Sequence, residues 1–404
     1  MRVLITNLFV ARGSGTEAVV EATADGLRRA GVQTAIYAPE LGAQAERMRV
    51  RGHILVDRVS QVPWTPDVIH AQHATPAVMA IAAFPRTPVL FSCHSSRLLV
   101  EGPVLHPNVR RYLAVDELCR QRCLADGAPA ERLSVLLNPV DLERFRRRAA
   151  LPARPRRALL LGKRNEHRTM VHHACQGARL SLDELGPSAG RFSIVLQDDL
   201  AQADIVFAAA RGALEAAAVG CFVVVCDGRG FAGPLTTATL DPWRPYNFGA
   251  GVLSRPSTIE ALSQAITAYD PREARTVSDR LRPDADLDRY AQSLIELYGQ
   301  CLAEPVDGST QEAAFALARL MEDLLPTPTD RPWRRLVGEQ ELVPPRKDEV
   351  LRALEDRLVS SAKKTRKVVE AIGEQTLAEL DKLRAELRAA RPDAEPPVDH
   401  GERG

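Results

Sequence analysis

The side chains able to bind or transfer a chemical group are few, and most sit at the ends of apolar runs. Glu215 is the one carboxylate in "ARGALEAAAVG" (210–220), an alanine-rich helix that Gly220 stops just before the strand "CFVVVCD". A helix N-terminus exposes unpaired N–H groups and the positive end of its dipole, so Arg211, Gly212 and Ala213 form an anion-accepting turn of small residues that a phosphate can approach. Glu215 lies one turn further in, either as an anchor for vicinal hydroxyls or as a carboxylate held by the dipole. "RGSGTEA" (12–18) places Gly13 and Gly15 before another helix, yet it is not a G-x-G-x-x-G fingerprint, and no dinucleotide cofactor is expected. "GKRNEHR" (162–168) follows the strand "ALLL" and supplies Lys163 and Arg168 on what reads, by itself, as a solvated basic loop. His94 ends the strand in "LFSCHSS", and His70 and His73 lie in "IHAQH", where an imidazole can hold a hydroxyl or carry a proton. No metal is expected: those histidines have no accompanying carboxylate, and His172 and Cys175 of "HHACQGAR" have no further ligand.

Such groups need a scaffold, and composition bounds it. A chain of 404 residues, 45% hydrophobic and 26% charged, can bury two ordinary cores. A net charge of +1 creates no field that would recruit nucleic acid. Seven scattered cysteines read as buried, reduced thiols. The opening "MRVLITNLFV" is too short for a secretory core, and no 18-residue apolar run follows, so the expected location is cytoplasmic, with at most peripheral contact at the inner membrane face.

Short apolar runs alternate with helical stretches from the first residue, the pattern of a parallel α/β sheet covered on both faces. Residues 1–145 form one Rossmann-like half, 146–157 ("RRRAALPARPRR") a linker, and 158–304 a second, shorter half. A helix and Pro-rich connector occupy 305–346. The run 347–391 reads as one long helix with a heptad-like seam, suited to coiled-coil pairing with another copy or an assembly partner, and 392–404 as a disordered tail.

Read in order, "MRVLITNLF…GSGTEAVVEATADGLRRAGVQTAIYAP", "PDVIHAQH", "ERLSVLLNPVDLERF" and the 210–230 stretch resemble a GT-B glycosyltransferase of the retaining family 4 type (glycosyl transferases group 1), with a shortened C-terminal domain. The resemblance covers roughly 1–304. It implies an α/β GT-B fold, two Rossmann-like domains facing across a cleft, plus a C-terminal helical extension. It also implies metal-independent transfer of a sugar from a nucleotide-sugar to a carbohydrate or lipid-linked acceptor, in surface polysaccharide or glycoconjugate assembly. In such enzymes the 210–220 helix faces the donor diphosphate and its Glu, here Glu215, contacts ribose. Gly13, Gly15, Lys163, Arg168, Arg211, Gly212 and Ala213 would complete the donor site, with His94 beside the reacting sugar and His73 on the acceptor side. Asn138 matches an interdomain turn. The family's first Glu, eight positions earlier, is replaced by Phe207. A catalytically degenerate scaffold working through its terminal helix, or a sugar-nucleotide epimerase, are the alternatives.

Overall fold

Valine-, isoleucine- and phenylalanine-rich runs such as "FVVVCD" are buried on both faces and therefore form interior parallel strands rather than half-exposed alternating ones. The computed structural model describes residues 1–324, apart from Arg12, Ser14, 163–165, Pro187, Ser188, Phe192, Ile194 and 307–309. Lys163, the expected helix 347–391 and the expected tail 392–404 lie outside the described residues.

Seven strands make the first sheet: β1 (Arg2–Thr6), β3 (Gln33–Tyr37), β5 (Ile54–Val56), β6 (Val68–Gln72), β7 (Val89–Cys93), β8 (Val109–Ala114) and β9 (Leu133–Val135). Their order is β5-β3-β1-β6-β7-β8-β9 and every pairing is parallel. The short strands β2 (Phe9–Val10) and β4 (Glu40–Leu41) pair beside it. Helices α1 (Gly15–Arg29), α2 (Ala43–Val50), α3 (Ala74–Ala83) and α4 (Glu117–Ala125) connect these strands.

The second sheet has the order β11-β10-β12-β13-β14. Its strands are β10 (Arg157–Leu161), β11 (Ser181–Leu185), β12 (Ile205–Ala208), β13 (Phe222–Asp227) and β14 (Gly230–Pro234), with β14 antiparallel to β13. Around it run α5 (Arg168–Gly177), α6 (Leu196–Gln202), α7 (Ala210–Val219), α8 (Thr237–Trp243), α9 (Ile259–Thr267) and α10 (Pro271–Asp284), followed by α11 (Leu287–Leu302) and α12 (Gln311–Leu324). All seven cysteines are buried and none is in a disulfide.

Two features depart from the expected division of the chain. Helix α11, placed by sequence in the second half, packs Leu287, Tyr290, Leu294, Leu297 and Tyr298 into one core with Val3, Ile5, Val68 and Leu90 of the first sheet. The 146–157 segment is not a free linker: Arg148 ion-pairs with Asp204 at 3.2 Å, and the N–H groups of Arg156 and Arg157 donate to the same carboxylate. The chain therefore passes between the sheets twice, and the two passages lie side by side, Val140 N–H donating to the Ala285 carbonyl at 2.7 Å. Arg244 fastens this crossing through Asp284 (2.7 Å), Asn247 Oδ1 (2.6 Å) and the Asn138 carbonyl (3.0 Å).

Tight backbone approach fixes the carboxyl edge of the second sheet. Gly186, just past β11, has φ +115°, and a β-carbon there would collide with the Gly162 carbonyl oxygen. Gly186→Ala is therefore expected to cost about 3 kcal/mol, combining a forbidden backbone angle with a backbone clash, and would appear as a lowered urea midpoint with an unchanged m-value.

Candidate functional site

Parallel α/β sheets bind ligands at the carboxyl ends of their strands, and the expected residues fall into two groups there. In the second half, β12 ends at Ala208 and α7 begins at Ala210, leaving Ala209 alone to turn the chain. Phe207, eight positions before Glu215, is fully buried within β12, between Leu160 and Val224 of the neighbouring strands.

Helix α7 is packed along most of its length and ends at Gly220 in the left-handed region. Gly212 is small because a β-carbon would lie 3.0 Å from Leu161 Cδ1, so helix–strand packing already accounts for it. Ala213 is wholly buried in the core, which leaves its side chain unable to face a ligand. The polar groups at this end are Arg211 and Glu215, paired at 2.9 Å with only 16% and 7% of their side chains exposed. Arg211 Nη1 is buried and makes no hydrogen bond. Burial raises the Glu215 pKa, Arg211 and Arg144 pull it back, and the like charge of Glu21 adds to the rise. Glu21, on α1, itself receives Gln44 (2.8 Å) and Arg51 (2.5 Å), with Arg144 at 3.9 Å. Charges of alternating sign thus run from α1 to α7, across the junction of the two halves.

Arg168 opens α5 in the turn after β10 and is already engaged. Its guanidinium grips Glu184 of β11 through two contacts, 2.6 and 3.3 Å, and His172 binds the same carboxylate. Those partners hold Glu184 below the usual carboxylate range against the opposing effect of burial. Arg168 is thus occupied as one side of an ion pair rather than offered as an unpaired cation. A separate cavity of about 110 Å³ lies beside β10 and β11, lined by Arg157, Leu159, Asp183, Arg191 and Gln202, and contains none of the expected site residues.

The first half gathers its polar groups more tightly. His73 is 2% exposed and stands between β6 and α3 with φ +61°, a costly backbone for a non-glycine residue. Its Nδ1 accepts the Leu8 N–H at 3.3 Å, and its Nε2 lies 3.4 Å from Glu101. His94, one residue past β7, has a buried Nε2 without a hydrogen bond. Burial and the neighbouring His73 push its pKa down to about 4, against the pull of Glu101 and Cys93, so the imidazole is neutral at pH 7. His70 plays another part: its nitrogens meet Tyr298 of α11 and Ser92 of β7, each at 2.7 Å, and burial takes its pKa to about 3. Its role is to join the sheet to α11. The loop carrying Gly13 is held by Glu17, fully buried, whose carboxylate accepts the Ala11 N–H, while Gly15 opens α1. Among the described residues no three His, Cys, Asp or Glu side chains converge as metal ligands, and no helix is long and apolar enough to cross a membrane.

Reading the sequence missed Glu101, Glu21, Arg144, Asn7 and Gln72. The first three come from distant segments and carry no local signature. Asn7 and Gln72 did carry one, a polar side chain at or just past the carboxyl end of a largely apolar strand.

Residues 13–144 match the profile of Glycosyltransferase Family 4. No curated protein matches the chain. Among solved structures, Anabaena HepE in complex with UDP is 13% identical, covering 74% of this chain and 100% of that one with a TM-score of 0.55. The same protein in complex with UDP and glucose is 14% identical, covering 74% and 99%, with a TM-score of 0.54. With one parallel and one mostly parallel sheet, a double crossing between them and a helix that returns to the first half, the chain has the glycosyltransferase-like GT-B fold.

Proposed function

We propose that the chain is a metal-independent GT-B glycosyltransferase that moves a sugar from a nucleotide-sugar to a carbohydrate or lipid-linked acceptor, with retention of configuration, in the assembly of a surface polysaccharide or glycoconjugate. The observation that carries this reading is Arg211 Nη1, a buried cationic donor without a partner in the first turn of α7. A diphosphate is the ligand that satisfies it, since a charge-assisted bond and the helix dipole act in the same direction. Arg211 drawn onto phosphate would leave Glu215 to accept hydrogen bonds from ribose hydroxyls. The neutral His94 imidazole, at the mouth of the first sheet, would hold the sugar or relay a proton. The family 4 profile over the first half and the likeness to a structure carrying UDP and glucose support the same ligand class.

Calorimetric titration of UDP into the full chain tests this reading. Wild type is expected to bind and Glu215→Ala to bind at least tenfold more weakly, whereas a folded wild type that binds neither UDP nor another nucleotide would sink the proposal. Phe207 favours a second reading, a nucleotide-binding scaffold without turnover, because the fully buried β12 core offers no carboxylate at the reacting centre. Release of glucose from UDP-glucose, or its transfer to an added glycoside, separates the two.

A further inference from the structure

Arg211 is asked to serve two anions. Its Nε bonds Glu215 at 2.9 Å, one turn along α7, and only 16% and 7% of the two side chains are exposed. Its Nη1, buried and unbonded, is the group left for a diphosphate. A guanidinium carries a single positive charge however many of its N–H groups are engaged, so a diphosphate placed on Nη1 adds negative charge to a pair that was balanced. The dipole of α7 offsets roughly half a charge, less than a diphosphate brings. Where little water reaches, anions crowded round one cation do not all stay ionised. The neighbours decide which group takes a proton. Glu21 of α1 is the other carboxylate that acts on this pair, and it is well served: Arg51 meets it at 2.5 Å, Gln44 at 2.8 Å and Arg144 at 3.9 Å. Glu215 has Arg211 as its first partner, and the further charges that act on it, Arg144 and Glu21, oppose each other. Burial already disfavours its ionised form. Tyr290 of α11, which also feels Arg211, stays neutral because burial pushes its pKa up to about 12. The diphosphate of a nucleotide-sugar, esterified at both ends, is a strong acid and keeps its charge. Glu215 is therefore the group that yields.

We propose that the donor's diphosphate and one proton bind together, the proton passing from solvent to the Glu215 carboxylate. This inference rests on the nucleotide-sugar reading above and adds to it a dependence on acidity. Protonation frees Arg211 to turn its charge toward phosphate. The carboxyl group keeps a carbonyl acceptor and gains an O–H donor, so it still serves a ribose hydroxyl. The linkage has a definite sign: the complex holds more protons than the free chain, so affinity rises as pH falls. Uptake of a whole proton corresponds to about tenfold in affinity for each pH unit.

The test titrates UDP-glucose calorimetrically into the full chain, as wild type, Glu215→Gln and Glu21→Gln, at pH 8, 7 and 6, with thermal melts to show that each is folded. UDP-glucose is used rather than UDP because its diphosphate has no group of its own that titrates in this range. Each titration is run in PIPES and in imidazole, whose different heats of ionisation turn proton uptake into a difference in apparent binding enthalpy. Wild type is expected to tighten by about threefold or more for each pH unit and to show that difference. Glu215→Gln, whose carboxamide stays uncharged, should lose both signals and bind at pH 8 at least as tightly as wild type. Glu21→Gln should keep both. Wild-type affinity that does not change with pH overturns the inference and leaves the nucleotide-sugar reading standing. A slope that persists in Glu215→Gln, as it would if His73 or His94 took the proton, also overturns it, as does a slope lost in Glu21→Gln alone. A folded wild type that binds no UDP-glucose at any pH overturns the nucleotide-sugar reading and the inference with it.

Discussion

Arg211→Ala is expected to lower the stability of the chain by about 3 kcal/mol at pH 7, a larger effect than the loss of any surface ion pair, because it leaves Glu215 buried and without its near partner. Arg144 pulls on Glu215 less strongly than Arg211 does, and Glu21 supplies a like charge. The Glu215 pKa is already raised in the wild-type fold and should rise further in the variant. A carboxyl group whose folded pKa exceeds its unfolded value favours folding below the unfolded pKa and opposes it as pH rises through the folded one. The deficit of Arg211→Ala should therefore shrink as pH falls from 7 toward 5. Glu215→Gln with Arg211 retained should cost less, and the double replacement Arg211→Met, Glu215→Leu should come close to wild type, since well-packed apolar side chains commonly match a buried pair. Urea unfolding of the three variants at pH 7 and pH 5 measures the cycle. A deficit for Arg211→Ala that is independent of pH would show that Glu215 does not carry the buried charge.

That cycle also shows how far the sequence could be read. Arg211 and Glu215 lie four apart on a helix, so their pairing is a local fact that spacing conveys. Strand "FVVVCD" and helix "ALEAAAVG" were legible for the same reason, since burial on both faces or along one stripe writes itself into neighbouring residues. What failed was long-range. The apolar stripe of α11 announces that it will be buried but not on which sheet, and it packs against the first rather than the second. Arg168 resembled a free cation because Glu184 lies sixteen residues away on the edge strand β11. His73 and His94 were recognisable by type and by position at strand ends, whereas Glu101, which sets the charge felt by both, arrives from a short 3₁₀ turn with no motif of its own. Gly212 suggested close approach of a phosphate, and the structure supplies the nearer reason, Leu161.

Acidification offers the second large effect. Burial lowers the pKa of four histidines, His70 to about 3, His94 to about 4, and His106 and His167 in the same direction. The unfolded chain takes up protons near pH 6.5 that these sites refuse in the folded state. Stability is therefore full above the unfolded value and is lost as pH falls toward the folded ones. His70 and His94 together should withdraw about 3 kcal/mol for each pH unit between 6 and 5, at roughly 1.4 kcal/mol per proton. Glu215 and Asp116, whose pKa values burial raises, work in the opposite sense and moderate the loss. Asp25 and Glu184, held low by their basic partners, add to it only near and below their unfolded pKa values, around pH 4. His70→Asn isolates one site: it sacrifices hydrogen bonds to Tyr298 and Ser92, so it should be less stable than wild type at pH 8, yet its stability should fall less steeply with acid, by close to one proton. Urea midpoints at pH 8, 6.5, 5.5 and 4.5 give both quantities. A parallel offset of the two curves would mean that His70 already takes up its proton in the fold, which its two 2.7 Å partners, both hydroxyls, give it little reason to do.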